Sequence, residues 1–552
     1  MSARTDWVYL LIISSLWISA IAVANPIGNF PLNDDWAYGW TVQQLLETGT
    51  YQLSDWTATN LLSQVIWGTL FCLPFGFSFT ALRISALVLG LVGALSTYGL
   101  LRETKATPEL SLFGALVVAF NPIYFVAAHS FNSDVPSFAF AIASLYFLIR
   151  ALRTDSRLAL VLGTLLSLVS VLNRQSGIVV LIGFGVAAIA KKGFNFRTVR
   201  FAFLPAFLGF TAQFAYSHWL KVTDNTPILY GLQIQSLQET FVQGNTLQTY
   251  VTNIGIMSVY LGLFLAPFLV IDFPVWLKSS SRRLVLLLMI GIGFMLVLHD
   301  QQMPLAGNIL QTYNLGTQAL KGYDSLNVQT QSAIGYFWKL MTIAGCVSAG
   351  MLISVLLAAL LRSVRTANWL LVFALSVIAL YWGAIAGLNL NYWFDRYLIF
   401  LIPVLILLVS EQALSRRLTA ISLIFLIGFS GFSIAGSHDY LTWNRVRWQA
   451  LNGLVQDKGI SPEQINGGFE FNGWHFGNRL ETCSSKYRIQ PRPKVAAWAD
   501  FDCLWATWIE TGRKYSYTVS FVPQAGYEIE QQYFFRRWLP WKQEQLYVLR
   551  KN

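Results

Sequence analysis

The sequence predicts an α-helical polytopic membrane protein with about thirteen transmembrane helices and a small C-terminal α/β extracytoplasmic domain. Three observations predict it. Of 552 residues, 55% are hydrophobic and only 12% charged, too apolar for a soluble chain of this length. Apolar windows of roughly 20 residues, the length that crosses a bilayer core, recur throughout. Hydropathy then stops after Gly436, and 437–552 is mixed and aromatic.

The windows place spans near 7–25, 81–101, 109–128, 135–152, 157–172, 175–190, 200–220, 250–277, 283–299, 338–361, 369–389, 396–413 and 418–436. The first is flanked by Arg4 alone, lacks a small-residue cleavage site and begins a series, so it is expected to be a retained helix. The windows 157–172 and 175–190 are short enough to form one broken pair.

Lysine and arginine alternate from loop to loop. One set holds Arg102 and Lys105, then Arg150, Arg153 and Arg157, then Lys191, Lys192, Arg197 and Arg200, then Lys278, Arg282 and Arg283, then Arg362 and Arg365, then Arg416 and Arg417. Those loops are cytoplasmic by the positive-inside rule. The long loop 26–80 contains no Lys or Arg, carries Asp34, Asp35, Glu47 and Asp55, and is therefore expected outside. The net charge of +11 is largely this inside bias with a basic tail, so no nucleic-acid partner is expected. An inner or plasma membrane location follows, with 1–436 as the transmembrane unit and 437–552 as an outward soluble domain.

In that outward domain Gly467-Gly468, Asn472-Gly473 and Pro491-Arg492-Pro493 punctuate strand-like runs at 515–522 and 545–549. Cys483 and Cys503 both lie there, where a disulfide and two separate buried thiols are equally compatible with the sequence; Cys346 sits in a span and Cys72 near one.

The residues that carry chemistry gather at the outer ends of the spans. Asn33-Asp34-Asp35-Trp36 sets two adjacent carboxylates just beyond the first span. Neighbouring, partly desolvated carboxylates repel, which raises at least one pKa and suits that group to act as a base near neutral pH. Asp134, in His129-Ser130-Phe131-Asn132-Ser133-Asp134-Val135-Pro136, begins the fourth span, where a helix cap is the simplest role for it. Arg174, in Asn173-Arg174-Gln175, lies at the outward face against the charge bias, and an anion is the obvious reason. Arg396 follows Asn391-Tyr392-Trp393-Phe394-Asp395, where its guanidinium could grip a phosphate bidentately or pair with Asp395 or the acidic loop. Tyr392 and Trp393 fit an interfacial aromatic belt equally well. His129 near Asp134, His299-Asp300 and His438-Asp439 lack spacing that specifies a metal, so no ligand set is named and a divalent cation stays open; His218 reads as an interfacial histidine.

Outer carboxylates and outer arginines around a wide apolar body suit a substrate with a lipid tail, an anionic linker and a polar head. Here the chain resembles the GT-C class of polytopic glycosyltransferases, within the group of protein O-mannosyltransferases and lipid A aminoarabinose transferases (family 39-like). The resemblance rests on Asp34-Asp35 in a long first outer loop, Trp36-Ala37-Tyr38 and a helical stretch to Glu47, Gly49-Thr50-Tyr51, Asp134-Val135-Pro136, and Arg396-Tyr397-Leu398 leading to Pro403. It spans roughly the first 400 residues. It implies a polyprenyl-phosphate-linked sugar donor, a lipid, glycan or protein acceptor, and inversion in one displacement. It further implies Asp34 as general base, Asp35 as its modulator, Arg396 and Arg174 on the donor phosphate, and Asp134, Tyr392, Trp393 and Tyr397 around the substrate. The Asp-Asp pair departs from the commoner Asp-Glu form, which leaves the division of labour between Asp34 and Asp35 open. A transporter, or a ligase or polymerase of lipid-linked glycans, are the alternatives. A transporter should show paired broken helices and repeat symmetry, which the sequence lacks.

Overall fold

A computed structural model of the chain describes residues 3–552 except 105, 228, 231, 243–245, 306–308, 311–331, 389–392, 413–417, 478–514 and 540. Among the described residues, 10 helices are long and apolar enough to cross a membrane, or up to 11 when one bent pair counts as a span, so the chain is an integral multi-pass membrane protein. The expected count of thirteen is not confirmed. The windows 157–172 and 396–413 account for the difference. The first folds as Arg157–Val171, only 15 residues. The second opens as a 3-10 turn, Asp395–Phe400, and continues as the α-helix Leu401–Gln412, whose side chains are almost all buried. A helix enclosed by other helices needs no bilayer length, so hydropathy marks it as a span without length supporting one.

The bent pair, Pro108–Ala119 and Pro122–Ala128, turns by 62°. Pro122 has no N–H to continue the ladder and disfavours helical backbone at Asn121, whose side chain then caps the second piece by accepting from Ile123 N. After this break, 129–134 lies against the 26–80 loop, where the Phe131 amide meets Asp35 and the His129 carbonyl meets Arg83.

That loop is folded rather than strung out. It contains the helices Asp35–Thr48 and Leu62–Cys72. The first ends where Gly49 adopts φ 70°, a left-handed conformation that glycine takes without strain. Its entry is fastened by Arg83, fully buried in the helix Phe79–Arg102, which donates to Pro26 O at 2.6 Å, Phe30 O at 2.8 Å, His129 O at 2.9 Å and Gly28 O at 3.0 Å. A single guanidinium thus satisfies four carbonyls from two separate chain segments.

At the C-terminal end, the helix Ala420–Asn452 runs straight through the boundary expected at residue 436. Its later turns are not apolar, but they bury one face: Asp439, Tyr440, Trp443, Asn444, Arg447 and Trp448 all lie inside. Beyond it the strands β1 (Ile465–Asn466), β2 (Tyr517–Ser520), β3 (Tyr527–Arg537) and β4 (Lys542–Lys551) form one sheet in the order β1-β2-β4-β3, parallel only between β1 and β2. The strand-like runs at 515–522 and 545–549 correspond to β2 and part of β4. Asp439 docks the sheet by accepting Trp538 N at 2.8 Å and Leu539 N at 2.7 Å. His438 lies against Asp439 at 3.1 Å, so that His/acid pair serves this docking. Cys483 and Cys503 lie outside the described residues, while Cys72 and Cys346 are buried free thiols.

Candidate active site

Asn33 takes φ 53°, a left-handed backbone that asparagine tolerates better than most residues, and this turns the chain sharply into the helix Asp35–Thr48. Asp34 occupies the N-cap position yet makes no side-chain capping bond. Its carboxylate points elsewhere. It accepts from Arg396 Nη2 at 2.9 Å, Trp56 Nε1 at 3.0 Å and Asn33 Nδ2 at 3.2 Å.

Asp35 behaves differently. It is 1% exposed, and its two oxygens accept the backbone N–H groups of Leu32 and Phe131, the latter at 3.2 Å. Burial pushes its pKa up to about 8, against the pull of Arg83 and those two amides. The sequence expectation that at least one carboxylate of the pair is raised holds for Asp35, with desolvation as the main cause. Its two hydrogen bonds tie the 26–35 segment to the 129–134 turn.

Asp134 is the first residue of the helix Asp134–Thr154, whose N-cap is Ser133. The simple capping role is replaced by ion pairs: Asp134 bonds Arg174 and lies 3.5 Å from Arg396 Nε. The result is a chain of alternating charge, Asp34–Arg396–Asp134–Arg174, drawn from four segments far apart in sequence. All four side chains are mostly buried, with 4 to 13% of their side-chain surface exposed. Charges at this depth persist because each acid meets a guanidinium.

Arg396 sits in the 3-10 turn Asp395–Phe400, with its guanidinium also over the Phe394 ring at 5.0 Å. Of the two rivals for Arg396, the acidic loop supplies the partner. Asp395 accepts Ile309 N at 3.0 Å and Leu310 N at 2.9 Å. Arg174 packs over the Tyr397 ring at 5.2 Å. A cavity of about 20 Å³ lies beside the charge chain, with Asp134, Arg174, Arg396, Tyr397, Ser137 and Ser170 in its lining. A second, of about 90 Å³, shares Arg174, Ser176, Tyr381 and Tyr397 with it and extends to Ala58 and Leu388.

Five of the sequence-selected residues, Asp34, Asp134, Arg174, Arg396 and Tyr397, thus converge, while the carboxylate of Asp35 faces the Leu32 and Phe131 amides instead. Trp393 is 2% exposed and packs edge-on against Tyr260 at 5.6 Å, within the helical core and away from both cavities. Tyr392 lies outside the described residues. His129 is buried, with Nδ1 2.7 Å from Phe125 O, and burial pushes its pKa down to about 4. Among the described residues no group of three or more His, Cys, Asp and Glu converges as metal ligands would.

Sequence reading missed Trp56, Arg83 and Glu470. Trp56 resembles any interfacial tryptophan, but Arg83 carried a signal, being a charge placed against the inside bias at the outer end of a span. Glu470, on the C-terminal helix Phe469–Phe476, accepts Asn33 N at 3.0 Å and Arg447 Nη2 at 2.8 Å. Nothing local to Gly468-Phe469-Glu470-Phe471 announces that contact.

Residues 65–219 match the family model described as dolichyl-phosphate-mannose-protein mannosyltransferase. That stretch includes Asp134 and Arg174, and it bears out the GT-C resemblance read from the motifs. No curated protein matches the chain by sequence. Among solved structures, the chain is similar to ArnT from Cupriavidus metallidurans bound to undecaprenyl phosphate, at 12% identity and a TM-score of 0.43, covering 100% of this chain and 98% of that one. The same protein in its apo state matches at 14% identity and a TM-score of 0.42, covering 99% and 98%.

Proposed function

We propose that the chain is a membrane glycosyltransferase that moves a sugar from a polyprenyl-phosphate donor to an extracytoplasmic lipid, glycan or protein acceptor. The observation that carries this reading is the buried Asp34–Arg396–Asp134–Arg174 chain beside a small cavity that Asp134, Arg174 and Arg396 line. The family model matched by residues 65–219, named for a polyprenyl-type phosphate sugar, supports the donor class.

In this reading the donor phosphate lies against Arg396 and Arg174, whose guanidiniums suit phosphate oxygens better than a lysine point charge would. The acceptor oxygen attacks the anomeric carbon from the face opposite the phosphate. As the new C–O bond forms, the C–O bond to phosphate breaks, the electron pair leaves with the phosphate, and the anomeric centre inverts. Asp34 takes the proton from the acceptor. A base of this kind contributes on the order of 10² to 10⁴ in rate, and the arginines stabilise the charge that develops on the leaving group. Before the donor arrives, Arg396 holds Asp34 and Asp134 on either side of one guanidinium, because it lies against both.

The direct test is mass spectrometry of lipid extracts from cells lacking the protein. A polyprenyl-phosphate monosaccharide should accumulate. An unchanged lipid-linked sugar profile, together with no transfer by the purified protein from any undecaprenyl-phosphate monosaccharide supplied, would reject the reading.

A further inference from the structure

The acidic turn is held from the far end of the chain. Asn33 and Glu470 are 437 residues apart in sequence, yet the Asn33 amide donates to Glu470 Oε1 at 3.0 Å, and the other oxygen, Oε2, accepts from Arg447 Nη2 at 2.8 Å. Both side chains are buried, Arg447 completely and Glu470 with 5% of its side-chain surface exposed. The Arg447 guanidinium is further enclosed by the rings of Trp443 at 5.1 Å and Trp448 at 5.9 Å. Each Glu470 oxygen therefore has its own donor, Arg447 on one side and the Asn33 amide on the other.

The contact is reinforced beside the acids. Trp36, two residues after Asp34, lies so close to the helix Phe469–Phe476 that a Cβ added to Gly473 would sit 2.5 Å from its Cε2, and one added to Gly477 would sit 2.7 Å from its Cη2. Only glycine admits the indole at those two positions. Phe469 meets the same ring edge-on at 6.0 Å and Trp56, the Asp34 donor, at 5.7 Å.

We infer that Glu470 is a positioning residue: it accepts the Asn33 amide, sets the left-handed turn at Asn33, and so aims the Asp34 carboxylate at Arg396 and the acceptor. The inference rests on the glycosyl-transfer reading for its effect on rate. It also gives the C-terminal segment a share in the site beyond covering it, because the residue that orients the base comes from there.

Two double variants isolate the contact. Arg447→Met/Glu470→Gln removes the buried charge pair while keeping an acceptor for Asn33, whereas Arg447→Met/Glu470→Leu removes the same charges and the acceptor. In the full-length protein in detergent, hydrogen exchange of a peptide covering 31–38 should stay slow in the Gln form and rise several-fold in the Leu form. With an undecaprenyl-phosphate monosaccharide that the wild type uses, kcat should be largely retained in the Gln form. It should fall about 10- to 100-fold in the Leu form, as misplacement by an ångström does, with the donor KM little changed. Equal exchange in the two forms overturns the inference, and so does equal kcat in two variants of equal thermal stability. A wild type inactive with every donor would overturn the glycosyl-transfer reading instead, and the exchange comparison would still decide whether Glu470 holds the turn.

Discussion

Arg396 and Asp34 are 362 residues apart in the chain and 2.9 Å apart in the fold. The guanidinium that the transfer reading assigns to the donor phosphate is therefore already bonded to the carboxylate assigned as base. Donor arrival must exchange one anion for another at Arg396, and that exchange would release Asp34 for the acceptor.

Asp34→Asn should lower transfer by at least about 100-fold, the lower end for a general base. Polyprenyl-phosphate binding should survive, because Arg396 keeps Asp134 at 3.5 Å. Turnover by the purified variant is the measurement, and near-normal turnover would remove Asp34 from the role.

Trp56→Phe should cost less. It deletes the 3.0 Å Nε1 bond to Asp34 and preserves an aromatic ring against Trp36 and Phe469. A hydrogen bond to a charged group contributes about 1.5 to 3 kcal/mol, so kcat should drop roughly 10- to 100-fold. No change in kcat would mean that Arg396 and Asn33 suffice to hold the carboxylate.

Arg396→Ala should weaken binding of undecaprenyl phosphate by about 2 to 5 kcal/mol, and Arg396→Lys should retain part of the affinity because charge survives without the bidentate fork. Asp395→Ala separates the residues cleanly. Its carboxylate holds Ile309 and Leu310, so the variant should lose stability and leave the phosphate affinity of the folded fraction intact. Unchanged lipid binding in Arg396→Ala would leave Arg174 as the phosphate ligand.

Asp35 should make the folded protein sensitive to pH. Its pKa is pushed up to about 8 by burial, while in the unfolded chain an aspartate titrates near pH 4. Between those values only the unfolded chain releases the proton, so its contribution is fully present below about pH 4 and is lost as pH rises toward 8. Asp35→Asn should flatten that slope in a thermal unfolding series in detergent and should reduce turnover less than Asp34→Asn. A slope unchanged by the substitution would show that Asp35 does not bind the proton.

A reporter fused after Asn552 should be active only in the outer compartment, on the side of the 26–80 loop. The sheet carrying the C-terminus is attached to the helix that supplies Arg447, which in turn holds Glu470 against Asn33. Activity of that fusion in the cytoplasm would contradict both the charge bias and this shared face.

Much of the candidate site was legible because charge is rare in this chain and costly near a bilayer. Asp34, Asp35, Arg174 and Arg396 stand out against that background, and all but Asp35, which turns to backbone amides beside them, lie in the converged region. Trp393 was not separable in the same way, since an aromatic at an outer helix end fits a membrane belt, a substrate platform and a packed core alike; it is packed on Tyr260. The short helix Leu401–Gln412 misled for a related reason, because complete burial among helices and exposure to lipid select the same apolar residues.

The sequence by itself determined that this chain is a multi-pass helical membrane protein with an acidic pair and two arginines at helix ends, together with two of the four strands of its C-terminal sheet. Those properties follow from hydropathy and charge, which accumulate locally along the chain and need no knowledge of neighbours. Only the tertiary structure decided that Asp34 faces Arg396, that Asp35 is locked onto two backbone amides, that Asp134 pairs with Arg174, and that Glu470 reaches Asn33. Ion pairs and hydrogen bonds act over a few ångströms between segments that hundreds of residues separate, so partners are chosen by how the helices pack.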